Sequence, residues 1–119
     1  MAANSPNIGI TNAAMAGVFA TQARGLLKPI TGAIYTLNSG DHGKYLRTTA
    51  AVGVVLNVPA DTPNFSFPPG GETTIEAGGA GGTVITPAAG VTINGASVVL
   101  AQHEVVHLRK VAPNTYTAY

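Results

Sequence analysis

His103, Glu104 and His107 stand in the order H-E-x-x-H, the spacing at which a helix holds two zinc-binding imidazoles with a glutamate between them as general base. The chemistry depends on the element. On a helix the two histidines share one face about 6 Å apart at Cβ, close enough for two bonds of about 2.0 Å to one ion. On a strand they also share a face but stand about 13 Å apart, which no single zinc spans. Val98, Ala101, Val105, Leu108 and Ala112 fit a helical stripe, whereas Val106 and Leu108 alternating with His107 and Arg109 fit a strand. Five valines between Ser97 and Val111, and a hairpin signal just upstream, favour the strand. No Asp, Glu or His follows His107, so a third ligand could come only from upstream, from His42, Asp41, Asp61, Glu72 or Glu76; a zinc hydrolase using His103, Glu104 and His107 is the remote alternative, and we expect neither a metal site nor catalysis here.

Other chemistry-bearing stretches are weaker. "GDHGKY" (40–45) lacks the four-residue glycine spacing and the Ser or Thr after Lys that a phosphate loop requires. Asp41 and His42 could be half of a catalytic pair with Ser39 or Ser66, but no nucleophile-elbow pattern is present, and a solvated hairpin turn is the simpler expectation. "GGAGG" (78–82) does not lead into a helix as a dinucleotide fingerprint does, and reads as a flexible connector or a place of close packing near a subunit axis. Phe65, Phe67 and the four tyrosines could stack on sugars or bases; core filling is the default. We therefore expect no enzyme, no catalytic residue and no cofactor.

The elements that would hold these residues are short. Fifteen Gly and eight Pro cut the chain into small pieces, and Val, Ile and Thr favour strands. Candidate strands are 33–37, 44–49, 53–58 (Val54, Leu56 and Val58 on one face), 72–77, 82–86, 90–93, 96–100, 105–111 and 114–119. Asn94-Gly95 should turn a hairpin, and Ala112-Pro113 should join the last pair. We expect an all-β fold, an antiparallel β-sandwich or small barrel of about 7–9 short strands over residues 34–119. Residues 1–33 read as an extended N-terminal arm with one short helix, which Lys28-Pro29 would end.

Composition bears on function more than any motif. The 119 residues include only eleven Asp, Glu, Lys and Arg, 9% of the chain, where soluble domains average about 25%. A folded monomer of this size exposes on the order of 6,000 Å², so each charge would serve about 500 Å² of surface, against about 200 Å² at average composition. With 45% hydrophobic residues disorder is no explanation. A subunit whose exterior is partly covered by neighbours is. A net charge of +1 with scattered basic residues gives no footing for nucleic acid. The first 23 residues carry no charge but are interrupted by Asn4, Pro6, Asn7, Asn12 and Gly17, so we expect neither an export signal nor a membrane span. No cysteine is present, which removes disulfides and thiolate sites.

From Ile34 to Tyr119 the order of features, "DHGKYLRTT", "VGVVLNVPA", "EAGGAGGTVITPAAGVTING" and "VVHLRKVAPNTYTAY", resembles a small all-β domain of tailed-bacteriophage virion proteins, found on head decoration or cement proteins and on tail fibres. The resemblance places "HEVVH" at the start of the penultimate strand. It implies a non-enzymatic virion protein, trimeric, that decorates and stabilises the capsid at the head surface by contacts with the major capsid protein or other virion subunits. A domain with so short an arm fits the head better than the tail; as a tail component it would contact the host through loops such as 59–71. The arm residues expected to touch a partner are Met15, Phe19, Leu26 and Leu27 through apolar contact, and Arg24 and Lys28 through charge.

Overall fold

In the computed structural model, residues 26–119 are described. Among them the fold is all-β, with ten strands: β1 (Leu27–Ile30), β2 (Ile34–Thr36), β3 (Tyr45–Thr48), β4 (Val54–Val58), β5 (Glu72–Ala77), β6 (Thr83–Pro87), β7 (Thr92–Gly95), β8 (Val99–Leu100), β9 (Val105–Ala112) and β10 (Thr115–Ala118). All nine expected strands are present within a few residues. The tenth, β1, falls in the stretch assigned to the arm. It is an edge strand, so Pro29, which has no N–H to give, costs the sheet no hydrogen bond on its open side.

The strands form two sheets, one in the order β1-β3-β5-β9-β10-β7 and the other β2-β4-β6-β8. From β1 to β8 the chain changes sheet at every step, and as far as β6 strands two apart in sequence are neighbours running the same way. The pairs β1–β3, β3–β5, β2–β4, β4–β6 and β7–β10 are parallel, and only β5–β9, β9–β10 and β6–β8 are antiparallel. The expected antiparallel arrangement is therefore corrected to two mixed sheets.

The hairpin expected at Asn94-Gly95 is not formed. Both residues lie in β7, beside β10, while β8 pairs with β6 in the other sheet. Gly95 spends its positive φ of 104° turning the corner between sheets, with its Cα against the Ala118 carbonyl where a side chain would overlap. The connector "GGAGG" has an equally definite place. A Cβ on Gly79 would overlap the Ala50 carbonyl and one on Gly81 the Val52 backbone, so one crossover lies directly on the preceding one. The close packing expected of it is real, but against the chain itself.

Alternation decides which side chains go inward. Thr73, Ile75 and Ala77 of β5 are buried while Glu72, Thr74 and Glu76 face out, and β9 buries Val106, Leu108 and Lys110 in the same way. Leu46, Ile75, Leu108 and Tyr116 of the larger sheet join Leu56, Val58, Ile85 and Leu100 of the smaller in one buried cluster. Phe65 and Phe67 fill it as expected, with Phe67 edge-on to Tyr116 at 6.2 Å. A buried hydroxyl pair, Thr48 and Thr83 at 2.7 Å, ties β3 to β6 across the two sheets.

Candidate functional site

"HEVVH" does not form a helix. His103 sits in a turn with φ 73°, held by its N–H on the Ala77 carbonyl at 2.6 Å, and Glu104 accepts from the Ala101 N–H through its side chain at 2.8 Å. Strand β9 begins at Val105, and His107 projects from its outer face, where Nδ1 lies 3.0 Å from Thr74 Oγ1 and 3.2 Å from Glu72 Oε2. Among the described residues no three His, Asp or Glu side chains gather as a metal set.

His107 belongs instead to a polar network on the outer face of the larger sheet. Register places Glu72 opposite Arg109 and Thr74 opposite His107. Glu72 accepts from Arg109 Nη2 at 2.7 Å and from the Tyr119 hydroxyl at 2.6 Å, and those bonds, the tyrosine first, hold its carboxyl below the usual glutamate range. One strand pair away, Glu76 accepts from Tyr45 at 2.7 Å and from Arg47 Nε at 3.2 Å, which lowers it likewise. Four of the eleven charges thus lie on this face, each already answered. A cleft of about 240 Å³ opens at its end, lined by Leu26, Gly43, Lys44, Tyr45, Glu72 and Thr74.

The turn between β2 and β3 is not the solvated hairpin expected. Asp41 ends a 3-10 turn (Ser39–Asp41) fully buried, one oxygen 2.9 Å from Lys28 Nζ and the other 2.6 Å from the Tyr35 hydroxyl and 3.0 Å from the Asn38 N–H. Both oxygens are engaged away from His42, whose ring packs on Phe67 at 5.9 Å. No catalytic pair is assembled. Stretch 59–71 is likewise anchored: Asp61 accepts from Lys110 Nζ at 2.6 Å and from the Asn114 N–H at 3.0 Å, which lowers its pKa. Nearby, burial lifts the Tyr116 phenol to about 12, the Asp61 charge adding to it.

Of the expected contact residues, Met15, Phe19 and Arg24 lie outside the described residues. Leu26 and Leu27 are half exposed, and the register of Leu27 with Tyr45 puts it on the polar outer face. The Lys28 charge is met within the chain by Asp41 and Tyr35.

What sequence reasoning missed is the outer face of the smaller sheet. Ile34 stands beside Val55, Val55 beside Val84, and Val84 beside Val99, so one aliphatic row crosses all four strands from edge to edge. These side chains are 72%, 39%, 41% and 61% exposed. The neighbouring row is Thr36, Asn57 and Thr86. No Asp, Glu, Lys or Arg occurs in β2, β4, β6 or β8, nor anywhere in residues 48–60 and 77–103. Exposed valines scattered singly are ordinary, whereas here they form a continuous uncharged row. A signal was present in the sequence: "GVVLNV", "GTVIT" and "ASVVL" carry apolar residues in both phases of the strand period, as strands covered on both faces do. No family model, no curated protein and no solved structure matches this chain.

Proposed function

We propose that the chain is a non-enzymatic structural subunit of a bacteriophage particle, a head decoration or cement protein that stabilises the capsid through contacts with other virion subunits. The observation that carries this reading is the uncharged row Ile34, Val55, Val84 and Val99, open along the whole width of the smaller sheet. A face so built gains by being covered, at about 25 cal/mol per Å² of apolar surface removed from water, and it accounts for how a folded chain tolerates so few charges. The phage assignment itself comes from the resemblance of residues 34–119. We read the two sheets as the layers of a sandwich, because their inward side chains share one cluster.

The test is binding to particles stripped of the protein. Purified chain should restore their resistance to heat or chelator, and a chain carrying Val55→Lys and Val84→Lys should not. Equal protection by both would remove the reading.

A second reading, a tail component that contacts a host glycan, is favoured by the cleft beside Tyr45 and Glu72, where aromatic, carboxylate and basic groups converge. Immunogold labelling separates the two, on heads in the first case and on tail tips in the second.

A further inference from the structure

We infer that the aliphatic row of the smaller sheet is the seat of residues 1–25 of a second copy of this chain, so that copies associate head to tail by exchanging N-terminal segments. This rests on the reading of that row as a subunit contact and names what covers it.

Three observations point to this occupant. The first is chemical match. Residues 1–23 carry no charged side chain and include Ile8, Ile10, Met15, Val18 and Phe19. A face with no charge offers nothing to a charged partner and desolvates none of its own charges when side chains such as those of residues 1–23 lie on it. The near-neutral chain, at +1, sets up no repulsion between copies.

The second is size. Strands of three, five, five and two residues, about 4.8 Å apart and rising about 3.3 Å per residue, make a footprint of about 240 Å². Two domains meeting rigidly need about 800 Å² on each side for a standard stable interface. The face is too small for a second copy of the whole domain to hold by itself, and wide enough for one segment.

The third is where the segment starts. Leu26 lines the cleft with Lys44, Tyr45 and Glu72, on the outer side of the larger sheet. The aliphatic row lies on the outer side of the other sheet, beyond the shared core. A segment of 25 residues can reach about 80 Å, and its described point of attachment, Leu26, lies on the side of the domain opposite the row, a side that a neighbouring copy can approach. Donor side and acceptor face are then different surfaces, a heterologous contact that closes as a ring or continues as a filament.

The absence of cysteine gives the experiment a clean background. Chains carrying Val84→Cys and chains carrying Phe19→Cys, with different affinity tags, are co-expressed and mildly oxidised, with Thr117→Cys on the polar face as the control acceptor and Val55→Cys as a second acceptor should the first fold poorly. The expected result is a disulfide-linked mixed dimer of the Val84→Cys or Val55→Cys chain with the Phe19→Cys chain, at least 10-fold over the Thr117→Cys control. Light scattering of the parent should give a fixed multiple of 11.9 kDa, falling to one chain when residues 1–25 are removed. Predominant linkage between two Val84→Cys chains would overturn the inference in favour of face-to-face pairing. Closure within one chain bearing both substitutions would overturn it in favour of self-covering. Linkage no greater than the control would overturn it outright. Loss of particle binding alone, with the mixed dimer intact, would count against the virion reading and leave this inference standing.

Discussion

The two outer faces of this molecule are made from the same kind of strand and could hardly differ more. The larger sheet shows water Arg47, Glu72, Glu76, His107 and Arg109, linked by Tyr45 and Tyr119 into networks in which every carboxylate is satisfied. The smaller shows Ile34, Val55, Val84 and Val99 and no charge at all. Charge is unevenly divided between the two outer faces: it stands on the larger sheet and is absent from the strands of the smaller. The low overall charge therefore locates a surface.

The largest effect should follow from making the second face resemble the first. One lysine on the apolar row, Val84→Lys, must be desolvated when the face is covered, and we expect self-association or particle binding to weaken by about 100-fold, roughly 3 kcal/mol, in a titration followed by light scattering. Melting of the isolated chain should move little, since surface changes stay within about 0.5 kcal/mol. Thr117→Lys on the polar face is expected to change binding less than about twofold.

Next in size is the contact that stacks successive crossovers and so fixes both faces. Gly79→Ala drives a methyl into the Ala50 carbonyl, and denaturant titration should show a loss of about 2 kcal/mol.

The polar face can be broken by acid. Glu72 and Glu76 are held below their ordinary value of 4.5, so the stability they contribute is complete above that value and is lost as pH falls through the lower folded values. Unfolding free energy should decline from about pH 5 downwards, and the double variant Glu72→Gln, Glu76→Gln should flatten that decline. Assembly through the apolar face should not follow the same curve.

The smallest expected effect is that of salt. Raising NaCl from 0.05 to 0.5 M shortens the screening length several-fold, yet an uncharged contact should change affinity less than about twofold. A strong salt dependence would shift the contact to the polar face.

Much of the fold was legible because strand period and burial agree. Val54, Leu56 and Val58 point inward as their alternation predicts, and β5 matches its expected bounds. What was not legible is pairing. Asn94-Gly95 is a local hairpin signal, but Gly95 uses its permitted positive φ to turn a corner between sheets, and sequence does not distinguish the two uses. Pro29 hid β1 because proline stops most elements yet is harmless on an edge. His107 was legible as strand from the valines around it, whereas His103, expected at the start of the same strand, lies in the turn before it. The aliphatic face was half legible: the shortage of charge raises the expectation of a covered surface, but the expected contact residues are those of the arm, Met15, Phe19, Arg24, Leu26, Leu27 and Lys28, and of these Lys28 is already paired with Asp41. Only register brings Ile34, Val55, Val84 and Val99, up to 65 positions apart in sequence, into one row.

Hydroxyl-radical footprinting of the dissociated chain against the assembled one tests the central claim most directly, since it reads each side chain's access to water. Ile34, Val55, Val84 and Val99 should lose most of their labelling on assembly while Tyr119 and His107 keep theirs. Protection of Tyr119 and His107 with the four aliphatic residues still labelled would contradict the account.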